Sequence, residues 1–485
     1  MSPAKKSAPQ KAAKKRASRS AAHKSAAETP AEWPLEPGHV RIRMYNVGFG
    51  DAFLLLIPGD EGERARKILI DCGVHASGTN SKLKLTDLVK RIIADVSEDG
   101  TPRIDVVIAT HRHRDHVHGF REPEWQKVEV GEVWMPWTEH PTDPRAREIR
   151  EIQGKIALQL DRALEKKTSE PSKFGITGRK LKETKELKEF VSNSLPNEEA
   201  MRTLHDGFTV FEGYKKIVRR FLPPPERGEH TFESDLLPGV VVHVLGPSRN
   251  PSVIRDMNPP KGMSYLRMVE SLPADGEESL PPFRGQWVIR DAKHYNAHHD
   301  LFGTDGAGGG HKPLLTDREM EKIRNAGEGT EFGVAVKLED AVNGTSLMLM
   351  FEIGKSFLLF PGDAQWGTWE AAKNDPEWHS LLEKTNFYKV GHHGSHNATP
   401  VEFVEKMLKK DFWGMVSLRP IEKFKEIPRK PLLDALRSKP GKIVRMDLHE
   451  PTDSPDFRRV GDTKTGDVYV EVDIPIYRRP EGHHC

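Results

Sequence analysis

The feature that most constrains the fold of this chain is a short apolar run that leads directly into a cluster of histidines and an aspartate. Residues 103–110 (RIDVVIAT) are largely apolar, as expected of a strand buried on both faces. The run is followed at once by His111, His113, Asp115 and His116. So many donors cannot converge from one straight strand, but on a turn they can be shared between two adjacent metal ions. The spacing therefore predicts a metal site at the end of a buried strand.

The segments before this strand alternate between strand and helix patterns. Residues 40–59 predict two strands joined by a glycine-rich turn, and residues 65–73 predict another strand. Residues 84–96 carry apolar side chains at helical spacing, which predicts a helix. Strand, helix, strand and a histidine-rich loop together indicate a layered α/β domain.

Further candidate ligands stand at the ends of other predicted strands. Asp71 follows KILI, Asp363 follows FLLFPG, and the pair His392 and His393 follows FYKV. In a layered α/β fold such strand ends gather on one edge, where active sites commonly form. A cluster of His and Asp distributed in this way favours a two-metal hydrolytic site.

Two long stretches, 121–235 and 249–333, are rich in charge, Pro and Gly, and neither has an obvious core of its own. They are therefore predicted to be insertions into one domain. Within the first stretch, residues 144–167 and 178–195 predict exposed helices in which Glu and Lys alternate. The surface formed by 140–235 is accordingly a candidate for binding a protein partner.

The N-terminal segment differs from the rest of the chain in charge. Residues 1–30 contain six Lys and two Arg against one Glu, so they carry +7 while the remaining chain carries −5. Because it lacks the apolar side chains that offset ordering entropy, the segment 1–36 is predicted to be a disordered basic tail before one domain that spans 37–480. The tail is a candidate contact for nucleic acid or another anionic polymer, and a solubilising extension is the alternative.

Composition limits the class of protein further. No apolar run approaches the roughly 20 residues that span a bilayer, and no apolar stretch follows the basic N-terminus as in a secretory signal. The two cysteines, Cys72 and Cys485, cannot form a disulfide framework, so a reducing compartment is the simpler assumption. These features predict a cytoplasmic protein without a membrane span.

The cluster and several other motifs resemble a known family. The segment THRHRDHVHG matches the HxHxDH motif of the metallo-β-lactamase superfamily, and LIDCG, FPGD and HHGS resemble three further motifs of that family. The order YNVGFGDAFLL, VLGPS, NGTSLMLMF, LLFPGD and KVGHHGSHNAT is similar to the hydrolase domain of ComEC-type competence proteins and their soluble relatives. The resemblance covers 40–135, 239–248 and 335–473, and it leaves the tail and both insertions unexplained.

The resemblance implies an αββα metallo-β-lactamase sandwich, here with two long insertions, that holds a dinuclear metal site. The implied ligands are His111 and His113 for the first metal, Asp115, His116 and His392 for the second, and Asp363 as the bridge. His393 is the alternative to His392. Asp71 would orient the cluster without binding metal.

The third motif departs from the family, because many members supply another histidine to the first metal where this chain has Asn343-Gly-Thr-Ser346. The first metal is then left with two imidazoles and the bridge, or it draws on His243 or Asn343. Weak occupancy of this position or a preference for Mn²⁺ would follow. The expected cofactors are two divalent ions, with Zn²⁺ favoured and Mn²⁺ as the alternative.

The expected chemistry is hydrolysis by a metal-bound hydroxide. Asp115 or Asp363 would orient the hydroxide, and His393 or His396 would protonate the leaving group. The competence-type resemblance implies a phosphodiesterase or nuclease acting on nucleic acid or a nucleotide, and the basic stretch 419–430 suits such a substrate. The alternatives are hydrolysis of a small ester, lactone or thioester, and a non-enzymatic protein that binds a partner on a metal fold.

Overall fold

The computed structural model describes residues 35–59, 63–76, 84–225, 230–254, 256–257, 259–260, 262–265, 328–419, 426–450, 453–462 and 466–476. The predicted basic tail lies outside these ranges except for its last two residues, as do most of the stretch 249–333 and the basic residues Lys423 and Lys425. Within the described part of the chain, no helix has both the length and the apolar character needed to cross a lipid bilayer.

The described residues form two β-sheets. The strands are β1 (His39–Tyr45), β2 (Phe53–Ile57), β3 (Arg66–Ile70), β4 (Ser97–Glu98), β5 (Thr101–Ile108), β6 (Glu129–Pro136), β7 (Thr209–Val210), β8 (Val218–Leu222), β9 (Thr231–Glu233), β10 (Val240–Gly246), β11 (Met348–Ile353), β12 (Ser356–Phe360), β13 (Phe387–Lys389), β14 (Trp413–Val416), β15 (Lys442–Arg445), β16 (Arg458–Asp462) and β17 (Gly466–Pro475). The first sheet has the order β16-β17-β1-β2-β3-β5-β6-β7, with β4 beside β5 and β8 beside β6. The second has the order β15-β14-β13-β12-β11-β10-β9.

The helices of the described residues are α1 (Leu85–Asp95), α2 (Arg114–Val117), α3 (Pro144–Ser169), α4 (Gly178–Val191), α5 (Glu198–Arg202), α6 (Pro251–Ile254), α7 (Glu328–Asn343), α8 (Trp366–Asn374), α9 (Pro376–Glu383) and α10 (Lys430–Ser438). The helix predicted before the histidine cluster is confirmed as α1, and the two charged helices are confirmed as α3 and α4. The longest helix, α3, begins with Pro144, and the carboxylate of Asp143 accepts hydrogen bonds from the backbone N–H groups of Arg145 and Ala146. Such a cap satisfies donors that the first turn of a helix leaves without partners.

Both sheets combine antiparallel and parallel pairs. In the first sheet β1, β2 and β3 are antiparallel neighbours, whereas β3, β5 and β6 run parallel. In the second sheet β11 and β12 form the predicted hairpin, in which Ile353 pairs with Ser356, and β12, β13, β14 and β15 run parallel. The parallel strands of each sheet therefore end at a common edge.

The main apolar core lies between the two sheets. Side chains of β1, β2, β3 and β5 join side chains of β10, β11 and β12 in one cluster of buried residues. Because successive side chains of a strand point to opposite faces, the remaining apolar side chains lie on the outer faces. There α1 packs on the first sheet, and α8, α9 and α10 pack on the second. The fold is thus a mixed α/β arrangement of two sheets with helices, in agreement with the predicted class.

The structure assigns part of the predicted first insertion to the first sheet. β6, β7 and β8 come from the stretch 121–235, and both β7 and β8 pair with β6. β8 was not predicted as a strand because its sequence contains two arginines. One of them, Arg220, forms an ion pair with Glu132 of β6. The helices α3 and α4 lie outside the sheets and share small apolar clusters with α7. These clusters escaped the sequence analysis because they join segments that are far apart in the chain.

Candidate metal centre

The predicted ligands converge where the parallel strands end. Asp71 follows β3, His111 follows β5, Asp363 follows β12, and His393 follows β13. Since the carboxyl ends of parallel strands share one edge of a sheet, side chains placed just after them are brought together. The fold thus gathers residues that are up to 322 positions apart in the chain, from Asp71 to His393.

Among the described residues, three groups of buried side chains could hold a metal ion, and within each group the potential ligand atoms lie within 4.8 Å of one another. The groups are His111, His116 and Asp363; Asp115, His116 and His393; and Asp51, Asp71 and His116. His116 belongs to every group and so lies at the centre of the cluster. Imidazole nitrogens and carboxylate oxygens at such distances can bind divalent metal ions.

His111 and His113 face each other on the turn that follows β5. Nε2 of His111 lies 3.0 Å from Nδ1 of His113. The opposite nitrogen of His113, Nε2, lies 3.2 Å from the hydroxyl oxygen of Ser194. The two imidazoles are therefore in contact through one nitrogen each, although His113 belongs to none of the groups of potential ligands among the described residues.

His116 is oriented by a carboxylate behind it. Its Nδ1 lies 2.7 Å from Oδ2 of Asp71, and its Nε2 lies 3.2 Å from Oδ2 of Asp363. Asp71 is itself fixed by Thr110, whose backbone N–H and hydroxyl donate to the carboxylate at 2.8 and 2.7 Å. A carboxylate partner of this kind fixes the tautomer and direction of a ligating histidine, which is the role that the family resemblance implies for Asp71. Asp71 is also a member of one group of potential ligands.

His393, rather than His392, joins Asp115 and His116 in one group. Nδ1 of His393 donates to the carbonyl oxygen of Ser417 at 2.7 Å, so Nε2 is left facing Oδ2 of Asp115 at 3.6 Å. His392 turns instead to the other side, with Nε2 3.7 Å from Oδ2 of Asp363. The geometry favours His393 as the partner of Asp115, whereas the sequence favoured His392.

The backbone at the two strand ends adopts a conformation that L-residues rarely use. The φ angles of Asp71, His392 and His393 are 59°, 44° and 51°. Non-glycine residues in this left-handed region cost on the order of 1–3 kcal/mol each and are found mainly where the surroundings hold them in place. Here the conformation turns three polar side chains of the cluster to their positions beside the strand ends.

Lys389 and Asp51 form a buried ion pair that no sequence pattern predicted. The ammonium group of Lys389 contacts Oδ2 of Asp51 and lies 3.7 Å from Oδ1 of Asp363. Burial acts to lower the pKa of Lys389, but the carboxylates of Asp51 and Asp363 outweigh it and raise this pKa. A lysine at the end of an apolar strand was the available signal, because a buried ammonium group needs a nearby carboxylate.

The site also includes residues from the helices beside it. Glu339 of α7 accepts hydrogen bonds from the side chains of Asn193 and Ser194, at 2.9 and 2.7 Å. Asn193 in turn accepts a hydrogen bond from the backbone N–H of Asp115 at 3.1 Å. Burial, reinforced by the negative charge of Asp115, raises the pKa of Glu339 to about 8. No motif marks these three residues, so only the fold reveals their position.

The charges of the cluster favour ionised carboxylates. Burial acts to raise the pKa of Asp115 and of Asp363, but His116 and other imidazoles outweigh it and hold both pKa values below the usual range. Burial and the neighbouring imidazoles lower the pKa of His111, and burial is also the main cause that lowers the pKa of His113 to about 4. Burial acts to lower the pKa of His116 and of His393, but the surrounding carboxylates outweigh it and raise both pKa values. Because metal ions bind anionic carboxylates and neutral imidazoles, binding at His116 and His393 would release their protons.

The remaining candidates lie at or beyond the margin of the cluster. Burial, with Arg429 and His392 adding to it, lowers the pKa of His396 to about 4, and none of the three ligand groups includes this residue. His243 lies on β10, where its ring contacts Thr231 and Glu352, and it does not reach the cluster. Asn343 is closer, with its amide nitrogen 3.5 Å from Nε2 of His392.

Buried oxygens without hydrogen-bond partners make the cluster suitable for a metal ion. Oδ1 of Asp115 and Oδ1 of Asp363 are inaccessible to solvent and have no hydrogen-bond partner among the described residues. The same holds for the amide oxygen of Asn343. Leaving a buried acceptor without a partner costs about 1–3 kcal/mol, and more for a charged group, so several such oxygens in one cluster point to a bound cation.

The sequence was also compared with known proteins. No model of a protein family matches the chain, and no curated protein matches it. The site's own residues include five buried candidate ligands near the ends of parallel strands, His111, Asp115, His116, Asp363 and His393.

Proposed function

We propose that this chain is a metal-dependent hydrolase that holds two divalent metal ions on an αββα sandwich of the metallo-β-lactamase superfamily. The observation that carries the proposal is the convergence of buried imidazole nitrogens and carboxylate oxygens around His116. The proposed ligands are His111 and His113 for the first ion, Asp115, His116 and His393 for the second, and Asp363 between them. Two sheets with helices on their outer faces support the choice of fold.

Divalent ions at this position would lower the pKa of a coordinated water and stabilise negative charge on the attacked centre. Asp115 would orient the attacking water with the carboxylate oxygen that does not bind metal, since its Oδ1 has no hydrogen-bond partner among the described residues. Asp71 and the carbonyl of Ser417 hold the rings of His116 and His393 in direction. Because its Nδ1 donates to the carbonyl of Ser417, His393 is better suited to bind metal through Nε2 than to donate a proton to the leaving group.

His396 is left as the candidate that contacts the leaving group. Its pKa of about 4 keeps the imidazole neutral at pH 7, so it would act there as a hydrogen-bond partner of the substrate and not as a protonated acid. Arg429 lies close enough to contribute to this shift, and it pairs with Glu426 at 2.6 Å.

The proposed substrate is a phosphodiester, in nucleic acid or in a nucleotide. The order of the motifs supports this class, as does Arg429 beside His396. A small ester, lactone or thioester is the second candidate, and the enclosure of the site favours it. The side chains of Asp115, His116, Asp363 and His393 are at most 4% exposed, and His392 alone reaches 15%.

The test measures bound metal and the hydrolysis of bis(p-nitrophenyl) phosphate with added Zn²⁺ or Mn²⁺. Wild type is expected to bind two ions and to hydrolyse the diester, and Asp115→Ala to lose at least about a hundredfold in rate, since even changes behind a ligand cost 10–100-fold. The control Asp375→Ala removes a carboxylate that caps α9 outside the cluster and keeps the activity.

The other outcomes separate the alternatives. Bound metal with hydrolysis of a lactone, a thioester or nitrocefin, and none of the diester, would replace the phosphodiester by a small ester. Wild type without metal and without hydrolysis of any of these compounds would refute the proposed enzyme and favour a partner-binding protein on a metal fold.

A further inference from the structure

One carboxylate beside the cluster has no role in the proposed ligand set. Glu339 of α7 is largely buried, with its side chain 14% exposed, and Oε2 lies 3.4 Å from Nε2 of His113. Among the described residues, no Lys or Arg forms an ion pair with it, whereas the buried glutamates Glu331 of α7 and Glu139 after β6 pair with Lys167 and Arg112, respectively. A buried carboxylate without a cation is costly unless hydrogen bonds or a nearby positive charge compensate it.

The hydrogen bonds around Glu339 have a definite direction. A serine hydroxyl carries one hydrogen, and the hydroxyl of Ser194 donates it to Oε2 of Glu339 at 2.7 Å. Toward His113, at 3.2 Å, the oxygen of Ser194 is therefore an acceptor, so Nε2 of His113 must carry the ring hydrogen. Nδ1 is then left with its lone pair, and this is the nitrogen that faces His111.

We propose that Glu339, acting through Ser194, is a positioning residue that holds His113 in the tautomer and direction needed to bind the first metal ion. This inference rests on the proposed two-metal site. A metal-bound imidazole is more acidic than a free one, so its N–H donates more strongly to the Ser194–Glu339 pair, and the carboxylate gains the positive charge that it otherwise lacks. Besides Asp363, the first ion has only two imidazole ligands, whereas the second also has the carboxylate of Asp115, and for this reason the first ion depends most on such support.

The same carboxylate also connects the helical layer to the motif. Oε1 of Glu339 accepts from Asn193, and Asn193 accepts from the backbone N–H of Asp115. Asn193 and Ser194 follow α4, and Glu339 lies in the last two turns of α7. The segment that contains Asn193 and Ser194, which lies outside the resemblance to the family, therefore contacts both ends of the sequence His113-Arg-Asp115. Loss of the carboxylate of Glu339 should affect metal binding before it affects the fold.

The experiment uses full-length protein and Zn²⁺ alone, with the affinity of each ion measured by competition with a chromophoric chelator. Glu339→Gln keeps the size of the side chain but cannot form a carboxylate when a metal ion binds. It is expected to weaken one of the two ions 10–100-fold and to leave the other within about threefold of wild type. Glu331→Gln, on the same helix, breaks the ion pair with Lys167 and serves as the matched control, with both affinities unchanged.

Ser194→Ala provides an independent variant if Glu339→Gln does not fold, because it interrupts the link between His113 and the carboxylate and should weaken the same ion. Wild-type affinity for both ions in Glu339→Gln, or an equal weakening of both ions in Glu339→Gln and Glu331→Gln, would overturn the inference while leaving the two-metal site intact. If wild type binds no Zn²⁺, the proposed function fails first and the inference fails with it.

Discussion

At Gly73, the addition of one methyl group should weaken metal binding while the protein stays folded. A Cβ built on this residue would lie 2.5 Å from the carbonyl oxygen of Asp115, and closer still to the carbonyl carbon of Asp115 and the amide nitrogen of His116. Carbon atoms in ordinary contact are about 3.5–4.0 Å apart. Because these neighbours are backbone atoms and not flexible side chains, the turn that carries two proposed ligands must move by about 1 Å.

This displacement exceeds what metal–ligand distances tolerate, but a protein core can accommodate it at a modest cost in stability. Metal–ligand distances tolerate roughly ±0.2 Å, so a shift of the Asp115–His116 backbone by about 1 Å should remove the second ion. Overpacking of a buried position costs typically 1–3 kcal/mol, which a chain of this size can absorb. Gly73→Ala is therefore expected to stay folded, with a slightly lower melting temperature, while binding less metal and losing activity.

The control is Gly154→Ala, the same chemical change in the middle of α3. There the added Cβ would find its nearest neighbour, Cγ of Pro196, at an ordinary 3.5 Å, and the substitution should be neutral or stabilise the helix by about 1 kcal/mol. Circular dichroism, thermal unfolding and metal analysis of both variants form the assay. Full metal content and wild-type activity in Gly73→Ala would refute the argument that this close contact sets the position of the ligands.

Two further predictions concern stability. Asp143→Ala removes the cap of α3 and should lower the free energy of unfolding by about 1 kcal/mol in urea titrations; no change would mean that the cap contributes nothing. Burial, with Glu339 adding to it, raises the pKa of Asp340 to about 7, so between about pH 4 and pH 7 the folded state keeps a proton that the unfolded state has released. The free energy of unfolding should accordingly fall as the pH rises through this window, by at most about 1.4 kcal/mol per unit of pKa shift. Asp340→Asn should weaken this fall when both proteins are unfolded at pH 5 and pH 8 with a chelator present, and equal pH dependence in the two would contradict the reasoning.

Much of the fold could be predicted from local patterns in the chain. The strand that became β5, the helix α1, the hairpin of β11 and β12 and the charged helices α3 and α4 all have signals that lie within one segment. Apolar periodicity and turn residues act over a few residues, so a single sequence carries them in full. β8 was missed because its arginines find a partner in Glu132 of a distant strand.

The residues of the candidate site could also be predicted from local sequence patterns, but the contacts between them could not. Dense His and Asp residues at strand ends predicted that His111, His116 and Asp363 are neighbours, as they are in the structure. The orienting role of Asp71 was implied only by the resemblance to the family. The choice between His392 and His393 depended on two positive φ angles and on the carbonyl of Ser417, which no pattern in HHGS encodes.

The sequence by itself determined the candidate metal-ligating residues, the strands that precede them and the class of the fold, because each has a signal within one contiguous segment. Only the tertiary structure decided that Lys389 neutralises Asp51, that Ser417 orients His393, and that Glu339 of a distant helix stands behind His113. These contacts join residues separated by 24 to 338 positions, and their formation depends on how two sheets and a helical layer pack together. The sequence thus identifies the proposed ligands, and the packing of the fold determines which groups orient them and neutralise their charge.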